Sequence, residues 1–422
     1  MADHTAPDLS VSRSWRRNQL AITAASFMGF TGFTIVMPFL PLYIHQLGAQ
    51  DEGEIAMWAG LSLGVTPAVT ALLGPWWGRV ADRFGRKLMV VRSLVSFVII
   101  MAATAFATAP WHVFALRAVQ GLFAGYGGLT LAMAAESAPR DRLATAIGLV
   151  QTSQRLGPAL GPVIGGVLAG LVGIRNAFFV TAAFYAVALL LVVWLYHDPV
   201  HEPEPHDAEM EAPPGWRTFL ASPGFPLVLA AIFAITFVDR SFGPILPLYV
   251  KRLGVDADHV AFVSGLLFSA AAIGATAGNQ ACDALLRRWN AGPVIAWGSM
   301  VAASALALFL LAHATVFLIG MMTIFGLGVG VATTAAYTAG GRQIPRRAHG
   351  AGFGVLTSSS LAGLAISPAI CGLLSRQSLL VVFGLDLAML AILAAAMYWQ
   401  MPSADGSGGS AASTSMTEAG DQ

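Results

Sequence analysis

The segment Pro38-Phe-Leu-Pro-Leu-Tyr-Ile-His-Gln-Leu-Gly48 is written again 206 positions later as Pro244-Ile-Leu-Pro-Leu-Tyr-Val-Lys-Arg-Leu-Gly254. A distant stretch keeps the same offset. Gly148 to Leu168 lies over Gly354 to Leu374, matching Gly157 with Gly363, Pro162 with Pro368 and Gly166 with Gly372. Two separated matches at one offset mark a tandem duplication, which constrains the fold before any local propensity does. The chain must build two like bodies and join them.

What those bodies are made of follows from composition. Hydrophobic residues make up 56% of the chain and charged residues 11%, against about a quarter charged in soluble domains. About 20 apolar residues carry a helix across the hydrocarbon core. Twelve runs meet that length, at 20–44, 57–77, 88–108, 112–134, 145–168, 176–196, 226–250, 261–282, 293–312, 315–337, 350–373 and 379–400. Membrane strands would alternate polar and apolar residues, whereas these runs are continuous. The first is too long for the core of a signal peptide and is read as a retained span. The expected fold is an all-α membrane protein with six spans in each repeat. In so apolar a chain, a duplicated half points to a secondary transporter with its site where the halves meet.

Lysine and arginine give an orientation. With the N-terminus inside, sixteen fall on the inner segments and four (Arg175, Lys251, Arg252, Arg376) on the outer ones. The positive-inside rule then places both termini in the cytoplasm of a cell membrane. An even number of spans per half makes the halves parallel repeats. The expected segments are an N-terminal stretch 1–19, a first half 20–196, a cytoplasmic linker 197–225, a second half 226–400 and a disordered tail 401–422. His197, His201 and His206 sit among linker prolines without regular spacing and are read as solvated residues, not a metal site. Cys282 and Cys371 lie inside apolar runs and form no disulfide framework. The net charge of +1 singles out no partner, and no nucleic acid is expected.

Between spans two and three stands Gly78-Arg-Val-Ala-Asp82-Arg83-Phe-Gly85-Arg86-Lys87. A basic loop that orients the chain would explain the arginines, but not two glycines and an aspartate at fixed spacing. The segment resembles the signature loop of the major facilitator superfamily, G-x-L-A-D-R-x-G-R-K, with Val80 in place of leucine. The resemblance implies that Asp82 docks near the start of span eleven (Gly350 to Gly354) when the outer side is open. It also implies that Arg86 pairs with an acid at the end of span four, where Glu136 stands. These gating contacts form and break as the halves rock.

Two further motifs narrow the resemblance. Span four carries Arg117-Ala-Val-Gln120-Gly121, similar to the family's R-x-x-Q-G, which casts Arg117 as part of a proton relay. The alternative is that it snorkels to the outer interface, about 9 Å away. Span five carries Gly157-Pro-Ala-Leu-Gly161-Pro162-Val-Ile-Gly165-Gly166, which looks like the antiporter motif of drug/proton exporters and is expected to pack on span eight. Small residues spaced by four also serve helix packing in general. Gly29 with Pro38 and Pro41 resembles the same branch's first-span pattern. The whole is identified as similar to twelve-span multidrug-efflux antiporters of the superfamily. Such a protein exchanges protons for small, amphipathic molecules, acts as a monomer and needs no cofactor.

Ionisable residues inside a membrane are functional candidates by default. Besides Arg117 they are Arg155 in span five, Asp239 and Arg240 in span seven, and Asp386 in span twelve. Asp239 lies about 20 Å from the inner end of its span, near the midplane, and Arg155 at a similar depth. An Arg155–Asp239 pair is therefore possible, as a structural or a functional contact. Span one of typical drug/proton antiporters carries a carboxylate. Here it offers only Thr23, Thr31 and Thr34, so Asp239 is the candidate proton carrier, with Arg155 and Arg240 tuning it. Asp386, on a span peripheral in this superfamily, serves packing or lipid-facing solvation as readily as transport. Phe27, Phe30 and Phe33, Tyr126 and Met133, and Phe233 and Phe237 are candidate cavity walls, although aromatic stripes at helical spacing are more often core or lipid-facing. Competing functions are a single-metabolite exporter (a siderophore or sugar), an uptake permease and a non-transporting sensor. No nucleotide-binding loop, catalytic triad or metal-ligand cluster is visible, and an enzyme is rejected.

Overall fold

The computed structural model describes residues 9–139, 142–197, 224–312, 314–344 and 349–400. The greater part of the linker (197–225), all of the tail (401–422) and the first residues of the N-terminal stretch lie outside these. Fourteen helices are found among the described residues. The first half holds α1 (Leu9–Ile35), α2 (Leu40–Gln46), α3 (Glu52–Phe84), α4 (Arg86–Thr104), α5 (Pro110–Phe123), α6 (Tyr126–Ser137), α7 (Leu143–Val172) and α8 (Ile174–Leu195). The second holds α9 (Phe225–Arg252), α10 (Ala257–Leu286), α11 (Ala291–Leu311), α12 (Thr315–Gln343), α13 (His349–Leu374) and α14 (Leu379–Gln400).

Eleven stretches are long and apolar enough to cross a membrane, and the bent pair Trp15–Ile35 with Leu40–Gln46 makes a twelfth. Spans one and four are each two helices, α1–α2 and α5–α6. The other spans are α3, α4, α7 and α8 in the first half and α9 to α14 in the second. An all-helical chain is the expected solution, because a helix satisfies its own backbone where no water is available. Helix starts and stops follow local chemistry. Asp51 caps α3 by accepting from the Glu54 amide at 3.0 Å. Gly85, at φ +93, is the only residue between α3 and α4. That left-handed backbone favours glycine and permits the reversal.

Span one differs from its repeat. Pro38 and Pro41 accompany a 48° bend, whereas Pro244 and Pro247 stand inside the unbroken α9. The prolines are shared, while the flanking residues and the surroundings differ. In the first copy, Tyr43 donates its hydroxyl to the Thr104 carbonyl at 2.7 Å. Its counterpart Tyr249 packs instead between Phe309 and Phe383, with ring centroids at 5.4 and 5.3 Å.

The halves meet through two symmetry-related seams, span five on span eight and span eleven on span two. A methyl group added to Gly265 would stand 2.9 Å from the Pro162 carbonyl carbon, and one added to Gly60 would stand 2.9 Å from that of Pro368. Pro162 and Pro368 are a repeat pair, so the duplication reappears as a pair of backbone-close contacts, the kind that small residues allow between membrane helices. Toward the ends of spans two and seven, Arg252 crosses between halves to Glu52, with Nη2 at 2.6 Å from Oε2.

Candidate functional site in two cavities of the helix bundle

A cavity of about 230 Å³ lies between the halves. Thr34, Arg155 and Pro158 line it from the first half, and Asp239, Arg240 and Asn279 from the second. Asp239 Oδ2 pairs with Arg240 Nε at 3.0 Å. The ion pair of Asp239 thus runs to its neighbour on span seven and not to Arg155, which faces the same space from span five. Two guanidinium groups and one carboxylate therefore share this chamber, and the Asp239 side chain is 29% exposed. The carboxylate is accessible from the cavity and balanced by more positive charge than it supplies.

Of the alternatives open for Asp386, burial removes lipid-facing solvation. The residue does not face lipid but is fully buried, and its Oδ2 accepts from Ser241 Oγ on span seven at 2.6 Å. Its Oδ1 has no partner among the described residues. Sequence position alone placed it on a peripheral span. Only the packing of span twelve against Ser241 of span seven turns it inward.

The second cavity, of about 320 Å³, opens beside span four. Phe33 and Tyr126 line it, together with Phe30, Gln120 and Tyr185. Phe237 does not join these walls. It is buried, and its carbonyl accepts from Ser367 Oγ on span eleven. Arg117 is 2% exposed, which excludes snorkelling, and its Nη1 donates to Gln120 Oε1 at 3.0 Å. Sequence reasoning missed the feature that shapes this cavity. Span four breaks at Ala124 and Gly125, where Gly125 has φ +111. Three glycines at 125, 127 and 128 were the available signal, since glycine-interrupted spans mark binding sites in transporters.

On the face carrying the 78–87 loop, Arg86 Nη1 stands 2.7 Å from Glu136 Oε1, with side chains 31% and 26% exposed. Lys87 Nζ donates to the Tyr196 carbonyl at 2.6 Å, and Arg83 lies over the Phe84 ring at 5.5 Å. Arg86 and Lys87 thus tie the start of span three to the ends of spans four and six. Gly78, Asp82 and Gly350 lie within helices, but their contacts are outside what is described. A double-mutant cycle on Arg86→Ala and Glu136→Ala is expected to give a coupling of about 0.5–1 kcal/mol, read in unfolding or turnover. Purely additive effects would separate the two residues.

The glycine motif of span five faces two ways, not only toward span eight as expected. A methyl at Gly157 would lie 2.7 Å from the Thr31 amide, and one at Gly161 would lie 2.8 Å from the Thr31 carbonyl oxygen. One at Gly165 would lie 2.7 Å from the Ile35 carbonyl carbon. These three, spaced by four, form the seam with span one. Gly166, whose added methyl would stand 2.6 Å from the Ala261 oxygen, faces span eight, as does the Pro162 carbonyl. Spacing of four fixes a common face, but the partner of that face is set by tertiary packing.

The model of the Major Facilitator Superfamily matches residues 22–368 of the chain. Multidrug resistance protein MdtG of Salmonella dublin is 34% identical over 269 residues, covering 62% of this chain and 65% of the relative. The MdtG of Citrobacter koseri is likewise 34% identical, covering 62% of this chain and 64% of the relative. The match thus spans just under two thirds of these relatives' length. Among solved structures, an inward-facing bacterial homolog of the human lysosomal transporter Spinster superposes with a TM-score of 0.76. It is 18% identical and covers 94% of this chain and 100% of that one. The nucleoside transporter NupG gives a TM-score of 0.71 at 17% identity, covering 91% of this chain and 100% of that one. At such identities the likeness concerns the fold alone.

Proposed function

The chain belongs to the Major Facilitator Superfamily, and from that premise we propose that it exports small, amphipathic organic molecules in exchange for protons. The observation that carries the reading is the chamber between the halves, where Asp239, Arg240 and Arg155 meet. A site at the repeat interface can be exposed to either side by rocking one half against the other. A carboxylate there can exchange a proton with whichever side is open. The resemblance to proteins named for multidrug resistance supports a small-molecule cargo. The apolar walls beside span four support an amphipathic one.

Both termini are assigned to the cytoplasm, which places the Arg86–Glu136 pair inside and the Glu52–Arg252 pair outside. Both pairs are closed together in this structure, and opening either side would break the pair on that side. A single chain supplies both halves of the interface, so the working unit is a monomer. Asp82, Arg83, Arg86, Lys87 and Glu136 are the proposed inner gate.

The outer pair gives a direct check. Glu52→Gln should raise the labelling rate of a cysteine placed at Ile55 about two- to five-fold, the range of an exposed ion pair. Ile55 is 2% exposed, and the native Cys282 and Cys371 are buried. An unchanged rate would remove the latch. The function itself is tested in an efflux-deficient host by accumulation of a compound panel, with and without a protonophore. Several amphipathic compounds should accumulate less in cells carrying the protein, and the protonophore should cancel the difference. Export of a single compound would point to a dedicated metabolite exporter, and increased accumulation to an uptake permease.

A further inference from the structure

Span four is cut where the bilayer offers no water to a loose helix end, and the two ends created there are treated differently. The carbonyl end of α5 is satisfied by side chains. Trp77 Nε1 donates to the Leu122 carbonyl at 2.6 Å. Ser93 Oγ and Arg92 Nη2 donate to that of Phe123 at 2.6 and 3.2 Å. The amide end of α6 has no side-chain cap at Gly125. A helix start of this kind presents free N–H groups and the positive end of the helix dipole.

The buried side chains at that end, Gln120 and Tyr185, and Arg117 behind Gln120, carry donors without acceptors. Arg117 Nε and Nη2, Gln120 Nε2 and the Tyr185 hydroxyl have no hydrogen-bond partner among the described residues. Gln120 and Tyr185 are fully buried, Arg117 all but fully. Gln120 and Tyr185 line the same cavity as the backbone from Gly125 to Gly128. Arg117 holds Gln120 by its amide oxygen, which turns the amide nitrogen free for another acceptor. Among the described residues no carboxylate pairs with Arg117. The acids of residues 20–196 are Asp51, Glu52, Glu54, Asp82, Glu136 and Asp141, all at span ends. An unpaired cation with unmet N–H groups is costly in a membrane interior. A helix N-terminus adds to the same sign.

We propose that the first half holds a monovalent anion at this break, bound by Arg117, Gln120, Tyr185 and the amide end of α6. The rest of the cavity is mostly apolar, with Phe30, Phe33 and Phe97 from the first half and Leu361 and Leu364 from span eleven beside the hydroxyls of Thr66, Thr70 and Tyr126. The fitting ligand is therefore the carboxylate head of an amphipathic molecule, its tail lying against those walls. Because Leu361 and Leu364 belong to the second half, rocking alters the apolar part of the site while the anion contacts stay within the first. Calling this ligand a substrate rests on the exporter reading. The anion site itself does not.

The probe is radiolabelled decanoate, with decanamide as the neutral counterpart, added to the purified full chain in nanodiscs and corrected for protein-free discs. No proton gradient is applied, so binding and proton-coupled export can fail independently. Decanoate should bind at least about ten-fold tighter than decanamide, the scale of a hydrogen-bonded charge. Tyr185→Phe and Gln120→Leu should each weaken decanoate about three- to ten-fold while leaving decanamide unchanged. Arg117→Gln should erase the preference. If it does not fold, the other two variants decide. Chloride that displaces decanoate, or binds in its place, supports the anion site and assigns its occupant to inorganic ions. Equal affinity for decanoate and decanamide overturns the proposal. So does a preference untouched in folded Tyr185→Phe and Gln120→Leu, or an absence of both decanoate and chloride binding.

Discussion

Asp239→Asn is expected to abolish uphill, pH-driven efflux while leaving substrate binding and downhill exchange in place. An electroneutral one-for-one exchanger holds about a ten-fold substrate ratio per unit of pH difference, since about 1.4 kcal/mol is a decade. In vesicles under an imposed pH difference, the variant's ratio should fall to about one. Asparagine keeps the shape and hydrogen-bonding capacity of the side chain but cannot carry a proton. It would also leave Arg240, now 3.0 Å from Asp239 Oδ2, without its counter-charge. Substrate binding and proton release would then be uncoupled, and exchange driven by substrate alone would continue. A variant that still concentrates substrate would move the proton site. Asp386 is then first in line, since it lies buried against Ser241 of the same span. Glu136 follows, because it is already engaged by Arg86.

Gly165→Leu is expected to cost the folded protein itself. The three atoms nearest an added methyl are all backbone of Ile35, with Cα at 3.1 Å and the carbonyl oxygen closest of all. Backbone cannot swing aside as a side chain can, so the penalty should exceed the about 1–3 kcal/mol of ordinary overpacking. Gly161→Leu should be milder, because part of its obstruction is the Thr34 side chain. It should nevertheless part spans one and five enough to impair transport or leak protons. Gly148 lies on the same helix with nothing within 4 Å of an added methyl, and Gly148→Leu is the control that should fold and transport. Thermal stability in detergent, vesicle transport and a pH-sensitive dye read the three variants. Tightly coupled transport by Gly165→Leu would refute the seam.

Twelve spans and the duplication were legible in the chain, because hydropathy and repetition are properties of local sequence. Hydropathy reports transfer of a segment from water to lipid, and that free energy barely depends on neighbours. The resemblance of the loop motif likewise pointed to an Arg86–Glu136 pair, and the two stand 2.7 Å apart. Their part in gating remains a proposal resting on the proposed sidedness.

Facing and breaking were decided by tertiary structure. The same Pro-x-x-Pro accompanies a 48° bend in span one and leaves span seven unbroken, and each copy packs its tyrosine against different neighbours. Glycines spaced by four announced a close seam, but only the fold made span one the partner of Gly157, Gly161 and Gly165. Asp386 read as peripheral until its span packed on Ser241. Span four read as one run of apolar residues, and its interruption holds because Trp77, Ser93 and Arg92 arrive from other helices to take the carbonyls it exposes. Inside a bilayer, backbone groups must find partners within the protein. Which helix supplies them is a property of the assembled bundle and of no single segment.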